Sequence, residues 1–167
     1  MSTPIPFPRM FAVRQKFPAS PPLDIPAVVQ HEFKAQDVLS RLQPGAQIAV
    51  GVGSRGISNI KNIVAEVLAV LKTAGAKPFI IPAMGSHGGA TPEGQIGVLE
   101  SYGITEQSMG VPIRASMEVE SIGRSADGVE VFCSVEALRS DGMVIVNHQN
   151  CCPHIFYSLL SSMATSS

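Results

Sequence analysis

Runs of basic residues, a disulfide framework and an uninterrupted apolar segment are all missing from this sequence of 167 residues. Lysine and arginine together number 12 against 13 aspartates and glutamates, and no three basic residues are consecutive. Proteins that bind nucleic acid or anionic membranes through charge concentrate lysine and arginine in one segment or on one face. The sequence therefore predicts neither a nucleic-acid partner nor a membrane partner.

The longest stretch that approaches a membrane span, residues 60–70, is interrupted by Lys61, Asn62 and Glu66. A spanning helix needs about 20 predominantly apolar residues. Near the N-terminus, prolines stand where a signal peptide would need a continuous apolar segment. The three cysteines are an odd number, and none has C-x-x-C spacing, which argues against a disulfide framework or a zinc site. These absences predict a cytoplasmic protein.

What the sequence does contain is enough apolar material for one globular domain, with 45% hydrophobic residues and a mean hydropathy of +0.23. Prolines dominate residues 1–26, which we interpret as an arm with room only for an edge strand at 10–17. Residues 27–147 carry the periodic patterns of a folded domain. Residues 148–167 break from those patterns, and we expect them to form a poorly ordered tail.

Helical and strand patterns alternate through the central region. Apolar residues recur at helical spacing over 27–42, 57–74 and 91–102, and short apolar segments at 46–52 and 77–81 predict buried strands. Further strands are predicted at 111–115, 119–124, 129–133 and 143–147, with Asp127-Gly128 as a hairpin turn. This order predicts an α/β fold, a mostly parallel sheet with helices on both faces, and a late β-hairpin.

The first of two glycine-rich turns, Gly51 to Gly56, lies at the end of the strand predicted at 46–52. Ligands of open α/β sheets bind outside the carboxyl ends of the strands, so this turn is a candidate site. Arg55 would offer a forked donor to a carboxylate or phosphate, with Ser54 beside it; alternatively, Arg55 is a solvated loop residue. The turn also matches the dinucleotide motif G-x-G-x-x-G, but no acidic residue near Ile81 could bind a ribose.

The second glycine-rich turn, residues 84–90, places His87 among Gly85, Ser86 and Gly88 at the end of the next strand. An imidazole can exchange a proton with a substrate hydroxyl near neutral pH. The flanking glycines allow unusual backbone conformations and close approach of a ligand. Equally, His87 could be a loop residue that only donates a hydrogen bond to its own turn.

The remaining histidines carry less information. His31 falls in the first predicted helix and is interpreted as a surface residue. His148 and His154 accompany Cys151 and Cys152 near the end of the sequence. Their irregular spacing argues against a metal cluster, and no metal ligand is predicted.

Three segments together resemble the N-terminal domain of the nickel-dependent lactate racemase family. They read "GSRGISNI", "AKPFIIPAMGSHGGATPEGQIGVLESYGIT" and "DGMVIVN", and the similarity runs over residues 45–147. The resemblance implies a Rossmann-like domain of a 2-hydroxy acid racemase or epimerase. It also implies a nickel-pincer nucleotide as cofactor, which accepts and returns the C2 hydride of the substrate while a histidine takes the hydroxyl proton.

By the same resemblance, His87 is one of two acid/base residues, and Arg55 helps to hold the substrate carboxylate or cofactor groups. From their positions in the two turns, Ser54, Gly85, Ser86 and Gly88 are also predicted to bind substrate or cofactor. The second acid/base residue would be His154, if Pro153-His154 corresponds to the Pro-His pair of the family.

The sequence departs from the family after residue 147, where it reads "HQNCCPHIFYSLLSSMATSS". No lysine follows Lys77, so the lysine that tethers the cofactor in the family has no counterpart. We therefore interpret the chain as a truncated family member that needs a C-terminal domain or partner chain, and does not bind the cofactor alone. The alternatives are an inactive domain that binds an anion or nucleotide through Arg55 and His87, and a dinucleotide-binding module. An exposed apolar patch is expected on the face meant for the missing domain.

Overall fold

The computed structural model describes residues 11–16, 22–54 and 56–147. Its labelled elements, in chain order, are α1 (Ile25–Ala35), β1 (Gln47–Val52), α2 (Ile60–Thr73), β2 (Lys77–Pro82), α3 (Pro92–Ser101), α4 (Glu106–Met109), β3 (Val119–Arg124), β4 (Glu130–Ser134), α5 (Val135–Leu138) and β5 (Gly142–Val146). Short 3-10 turns lie at Leu39–Arg41 and His87–Ala90. The chain is thus an α/β protein. None of the described helices has the length and apolar character that crossing a bilayer requires.

Strands β1, β2 and β5 form a parallel sheet in the order β2-β1-β5. Strands β3 and β4 form a separate antiparallel hairpin. The prediction of a parallel sheet with helices and a late hairpin is confirmed at this level. Strand β3 has the predicted bounds, 119–124. A hairpin is specified by residues that are close in sequence, so its strands can be predicted from local patterns.

Helices α1 and α3 start at residues whose side chains cap them. The Asp24 side chain accepts a hydrogen bond of 3.0 Å from the Ala27 N–H at the start of α1. Thr91 does the same for the Gly94 N–H at the start of α3, at 3.1 Å. Each cap satisfies a backbone donor that would otherwise have no partner in the helix.

The core lies between one face of the sheet and the three longer helices. Alternate strand residues, including Ile48, Val50 and Ile80, share one cluster with the buried residues of α1, α2 and α3. Helix α2 contributes six residues to it: Ile60, Ile63, Val64, Val67, Leu68 and Leu71. Burial of each such side chain stabilises the fold by roughly 1.5–3 kcal/mol.

The opposite face of the sheet carries a smaller cluster of Ala49, Phe79 and Ile81. Among the described residues, Ala137 of the one-turn helix α5 and Met143 of β5 pack against it. Helices therefore contact both faces, but unevenly: the long helices are on one side and a single turn is on the other.

The structure differs from the sequence prediction most clearly in three segments. Residues 11–16 form no strand, and Phe11 and Val13 are more than 80% exposed, so no sheet neighbour holds them. The first helix ends at Ala35 instead of reaching residue 42, because Asp37 takes a positive φ of 51°.

The third difference concerns the strand predicted at 111–115. Only Ile113 forms a bridge there, parallel to Ile80 of β2. The Ile80 N–H donates to the Pro112 carbonyl at 2.9 Å, and the Arg114 N–H donates to the Ile80 carbonyl at 2.8 Å. Pro112 has no N–H to donate, which limits the ladder at this edge.

Candidate functional site

The three parallel strands end level with one another. Val52 pairs with Pro82 on one side and with Val146 on the other. Beyond these pairs, the Gly53 N–H donates to the Val146 carbonyl at 2.9 Å, and the Ala83 N–H donates to the Val52 carbonyl at 2.8 Å. The segments that follow the strands therefore leave the sheet side by side at its carboxyl edge, where α/β proteins place their ligands.

Ser54 and His87 meet at this edge, although 33 residues separate them in sequence. The Ser54 Oγ lies 2.5 Å from the His87 Nδ1. Ser54 is buried, with 9% of its surface exposed, whereas His87 is exposed. The hydrogen bond fixes the imidazole ring by one nitrogen and leaves the ring accessible to a ligand.

The loop that carries His87 depends on glycine. Gly85, Gly88 and Gly89 have φ values of 60°, 65° and 70°, in the left-handed region that side chains disfavour. Gly88 also packs against the backbone of Gly94, and a Cβ on either residue would overlap the other. The Thr91 hydroxyl joins the same contact, donating to the Gly88 carbonyl at 3.3 Å. The loop is thus fixed against the start of α3.

Two side chains of the α3 segment reach the two loops. Gln95, only 4% exposed, donates from Nε2 to the Gly85 carbonyl at 2.8 Å. Tyr102, which follows the last residue of α3, donates its hydroxyl to the Ser54 carbonyl at 2.7 Å. One helical segment therefore holds the loop after β1 and the loop after β2.

A cleft of about 360 Å³ opens at this edge, a size suited to a small ligand. Its described lining contains no carboxylate and no ammonium group, so an anion would meet no like charge there. The lining residues are Ser54, Ala83, Met84, Gly85, Ser86, His87 and Asn147.

Four of the residues predicted for the site line this cleft: Ser54, Gly85, Ser86 and His87. Gly88 lies in the same loop, where it makes the backbone contact with α3. Arg55 and His154 lie outside the described residues, so their predicted roles stay predictions.

Sequence reasoning missed Gln95, Tyr102 and Asn147 as site residues. Asn147 carried a usable signal, because it directly follows a buried strand, as Ser54 and His87 follow theirs. Gln95 carried a weaker one: it lies four residues before the buried Leu99, and is therefore a polar residue on the apolar face of α3. Nothing local indicated the contact of Tyr102.

Within the described part of the chain, no group of three or more histidine, cysteine, aspartate or glutamate side chains could hold a metal ion. Comparison of the chain with models of protein families, with curated proteins and with solved structures gives no match. The resemblance to the lactate racemase family therefore remains a prediction from the quoted motifs.

Proposed function

We propose that the chain is a lactate-racemase-like, Rossmann-like domain whose cleft binds a small 2-hydroxy acid, with His87 exchanging a proton with the substrate hydroxyl. The observation that carries the proposal is the pairing of Ser54 with His87 at the carboxyl edge of the sheet. An oxidation at an alcohol carbon needs a group that takes the hydroxyl proton, and an imidazole suits that role. His87 is the titratable side chain among the described lining residues.

The chemistry of the cleft supports a hydroxy acid. The Ser54 Oγ and the His87 Nδ1 already form a hydroxyl–imidazole hydrogen bond, the type of bond that a substrate hydroxyl would form with the ring. Ser86 and backbone groups of the loop offer donors to a carboxylate. No described lining residue would repel that carboxylate.

The described residues do not fit the cofactor that the resemblance implies. A nickel-pincer nucleotide would supply the acceptor for the C2 hydride, but the described residues provide no metal-binding cluster. We therefore assign to this chain substrate binding and proton exchange only. A second domain or partner chain would have to supply the hydride acceptor, and we expect the chain alone to bind lactate without interconverting its enantiomers.

The test is an NMR titration of the ¹⁵N-labelled histidine side chains with L-lactate and D-lactate. Two matched ligands accompany it: propanoate, which lacks the hydroxyl, and 2-methoxypropanoate, which keeps the oxygen but has no proton to give. We expect lactate to shift the His87 ring signals and the other two to shift them much less. His31, an exposed residue of α1, is the internal control and should not respond. Equal responses to all the ligands would contradict the hydroxyl-specific role.

A second candidate is an anion-binding domain without proton exchange, because the described lining residues include no carboxylate that would repel an anion. Inorganic phosphate and propanoate would then bind as well as lactate, and His87→Gln would keep most of the affinity. A dinucleotide-binding function is less favoured, because the Asn147 side chain occupies the space beside Gly53, where a Cβ would overlap it. The space beside the second glycine of the motif is filled where a pyrophosphate would need to approach.

A further inference from the structure

The α3 segment contacts both loops of the candidate site, the one after β1 and the one after β2, through side chains that do not line the cleft. Gln95 and Tyr102 are seven residues apart, which corresponds to about 10 Å along a helix. One bonds the loop after β2 and the other bonds the loop after β1. The spacing of the two side chains along α3 is therefore imposed on the two loops.

Gln95 is buried, so its polar amide group needs a hydrogen-bond partner within the protein. A buried amide without a hydrogen-bond partner destabilises a protein. Gln95 meets this requirement by donating to the carbonyl of Gly85, two residues before His87. Gly85 has a positive φ of 60° and belongs to the turn that presents the imidazole. The bond from Gln95 therefore holds the backbone of that turn.

The Tyr102 contact is the counterpart on the other loop. Its ring packs against the main core cluster, and its hydroxyl bonds the carbonyl of Ser54 itself. The backbone of Ser54 is thus held on one side by Tyr102, while its hydroxyl bonds the His87 Nδ1 on the other. Removing the Tyr102 hydroxyl would free this carbonyl without removing the ring from the core.

We propose that Gln95 and Tyr102 are positioning residues that hold Ser54 and His87 within hydrogen-bond distance before any ligand binds. This assignment rests on the proposed function, because the Ser54–His87 pair has a catalytic role only if His87 exchanges a proton. A proton-exchanging imidazole must be held in one orientation. The hydrogen bond itself can be measured in the free protein.

The test measures the ring ¹⁵N chemical shifts of His87 without ligand in Tyr102→Phe and Gln95→Met. The hydrogen bond at Nδ1 determines which ring nitrogen carries the proton, so its loss changes these shifts. Ser54→Ala defines the shifts of a His87 ring without the bond. We expect both variants to move the His87 signals toward those of Ser54→Ala. Val98→Ala, in the same helix and packed against the core, controls for general loosening and should leave them in place.

Wild-type-like His87 shifts in folded Tyr102→Phe would overturn the proposal, as would an equal change in Val98→Ala. If Gln95→Met fails to fold, Tyr102→Phe decides, because it keeps the ring. Failure of the proposed function gives a different result from failure of the positioning proposal. Lactate would then leave the His87 signals of the wild type unchanged, while Tyr102→Phe and Gln95→Met would still shift the His87 signals of the free protein. If Ser54→Ala leaves the wild-type shifts unchanged, the pair itself is absent and the positioning proposal is overturned.

Discussion

The parallel sheet and the β3–β4 hairpin both carry large apolar side chains, yet the two regions reach opposite degrees of burial. In β1, all residues after Gln47 are buried, whereas every residue of β3 is exposed. The hairpin nevertheless carries large apolar side chains at least 39% exposed: Val119, Ile122, Val129, Val131 and Phe132. Apolar content alone thus does not decide which strand enters the core; a layer that packs against the strand does.

The two regions also differ in what determines their geometry. The hairpin turn is closed locally, with the Gly128 N–H donating to the Ser125 carbonyl at 2.9 Å and the Ser125 N–H donating to the Val129 carbonyl at 2.8 Å. The sheet joins strands nearly a hundred residues apart, as between Ile48 and Gly142. An isolated two-stranded hairpin is only marginally stable in water. Local hydrogen bonds therefore define the hairpin, while packing stabilises the sheet.

The largest expected effect contrasts a phenylalanine of each region. Phe79→Ala in β2 removes a ring that is 2% exposed, and should lower the free energy of unfolding by roughly 3–5 kcal/mol. Phe132→Ala in β4 removes a ring that is 56% exposed, and should change it by no more than about 0.5 kcal/mol. Urea unfolding followed by circular dichroism measures both. A loss above 2 kcal/mol in Phe132→Ala, on the scale of a buried residue, would show that the hairpin ring is covered in solution.

A glycine of each region gives the next contrast, because both have positive φ. Gly88→Ala places a methyl group against the Gly94 backbone at a φ of 65°, and should lower the free energy of unfolding by about 2–4 kcal/mol. Gly128→Ala, at a φ of 79° with no atom within 4 Å of the new Cβ, should cost about 1–2 kcal/mol from the backbone alone.

Gly97→Ala is the matched control for these two variants, since Gly97 lies inside α3 with open space around its Cβ position. It should stabilise the protein by about 0.5–1 kcal/mol, because alanine favours the helix. Equal losses in Gly88→Ala and Gly128→Ala would mean that the contact with Gly94 adds nothing to backbone strain. The His87 loop would then be less firmly attached to α3 than its geometry indicates.

Sequence patterns predicted the local part of this fold and little of its long-range part. Helix α2 was predictable because its six buried residues recur at helical spacing, and the hairpin because Asp127-Gly128 identifies its turn. The end of α1 was not, since it depends on the unusual backbone of Asp37. The partner of Ile113 was not either, because nothing in its own segment identifies Ile80.

The same division applies to the candidate site. Ser54 and His87 could each be proposed from the rule that ligands bind at the carboxyl ends of parallel strands. Their hydrogen bond could not, because it depends on how two loops 33 residues apart are oriented. Gln95 and Tyr102 act through long side chains that reach backbone carbonyls, and such contacts leave almost no pattern in a sequence.

The smallest expected difference is between the half-buried Arg114 and the exposed Arg124. Arg114 lies 3.9 Å from the centre of the Phe79 ring, donates to the Gln47 Oε1 at 3.2 Å and lies 3.7 Å from a Glu136 carboxylate oxygen. Arg124 of the hairpin donates to the Gly128 carbonyl at 3.3 Å. Arg114→Ala should therefore cost about 1 kcal/mol, mostly through the ring contact. Arg124→Ala should cost less than about 0.5 kcal/mol.

Salt separates the contributions to the Arg114 effect. Its side chain is 40% exposed, so solvent screens the Glu136 ion pair, and such pairs contribute only about 0–1 kcal/mol. Urea unfolding of Arg114→Ala and Glu136→Gln at low and high salt should show a small, salt-sensitive loss for Glu136→Gln. The Arg114→Ala loss should persist mostly unchanged, because stacking on Phe79 depends less on screening. If high salt instead abolishes the Arg114 effect, the ion pair dominates, and this face of the sheet gains no stability from the arginine that covers it.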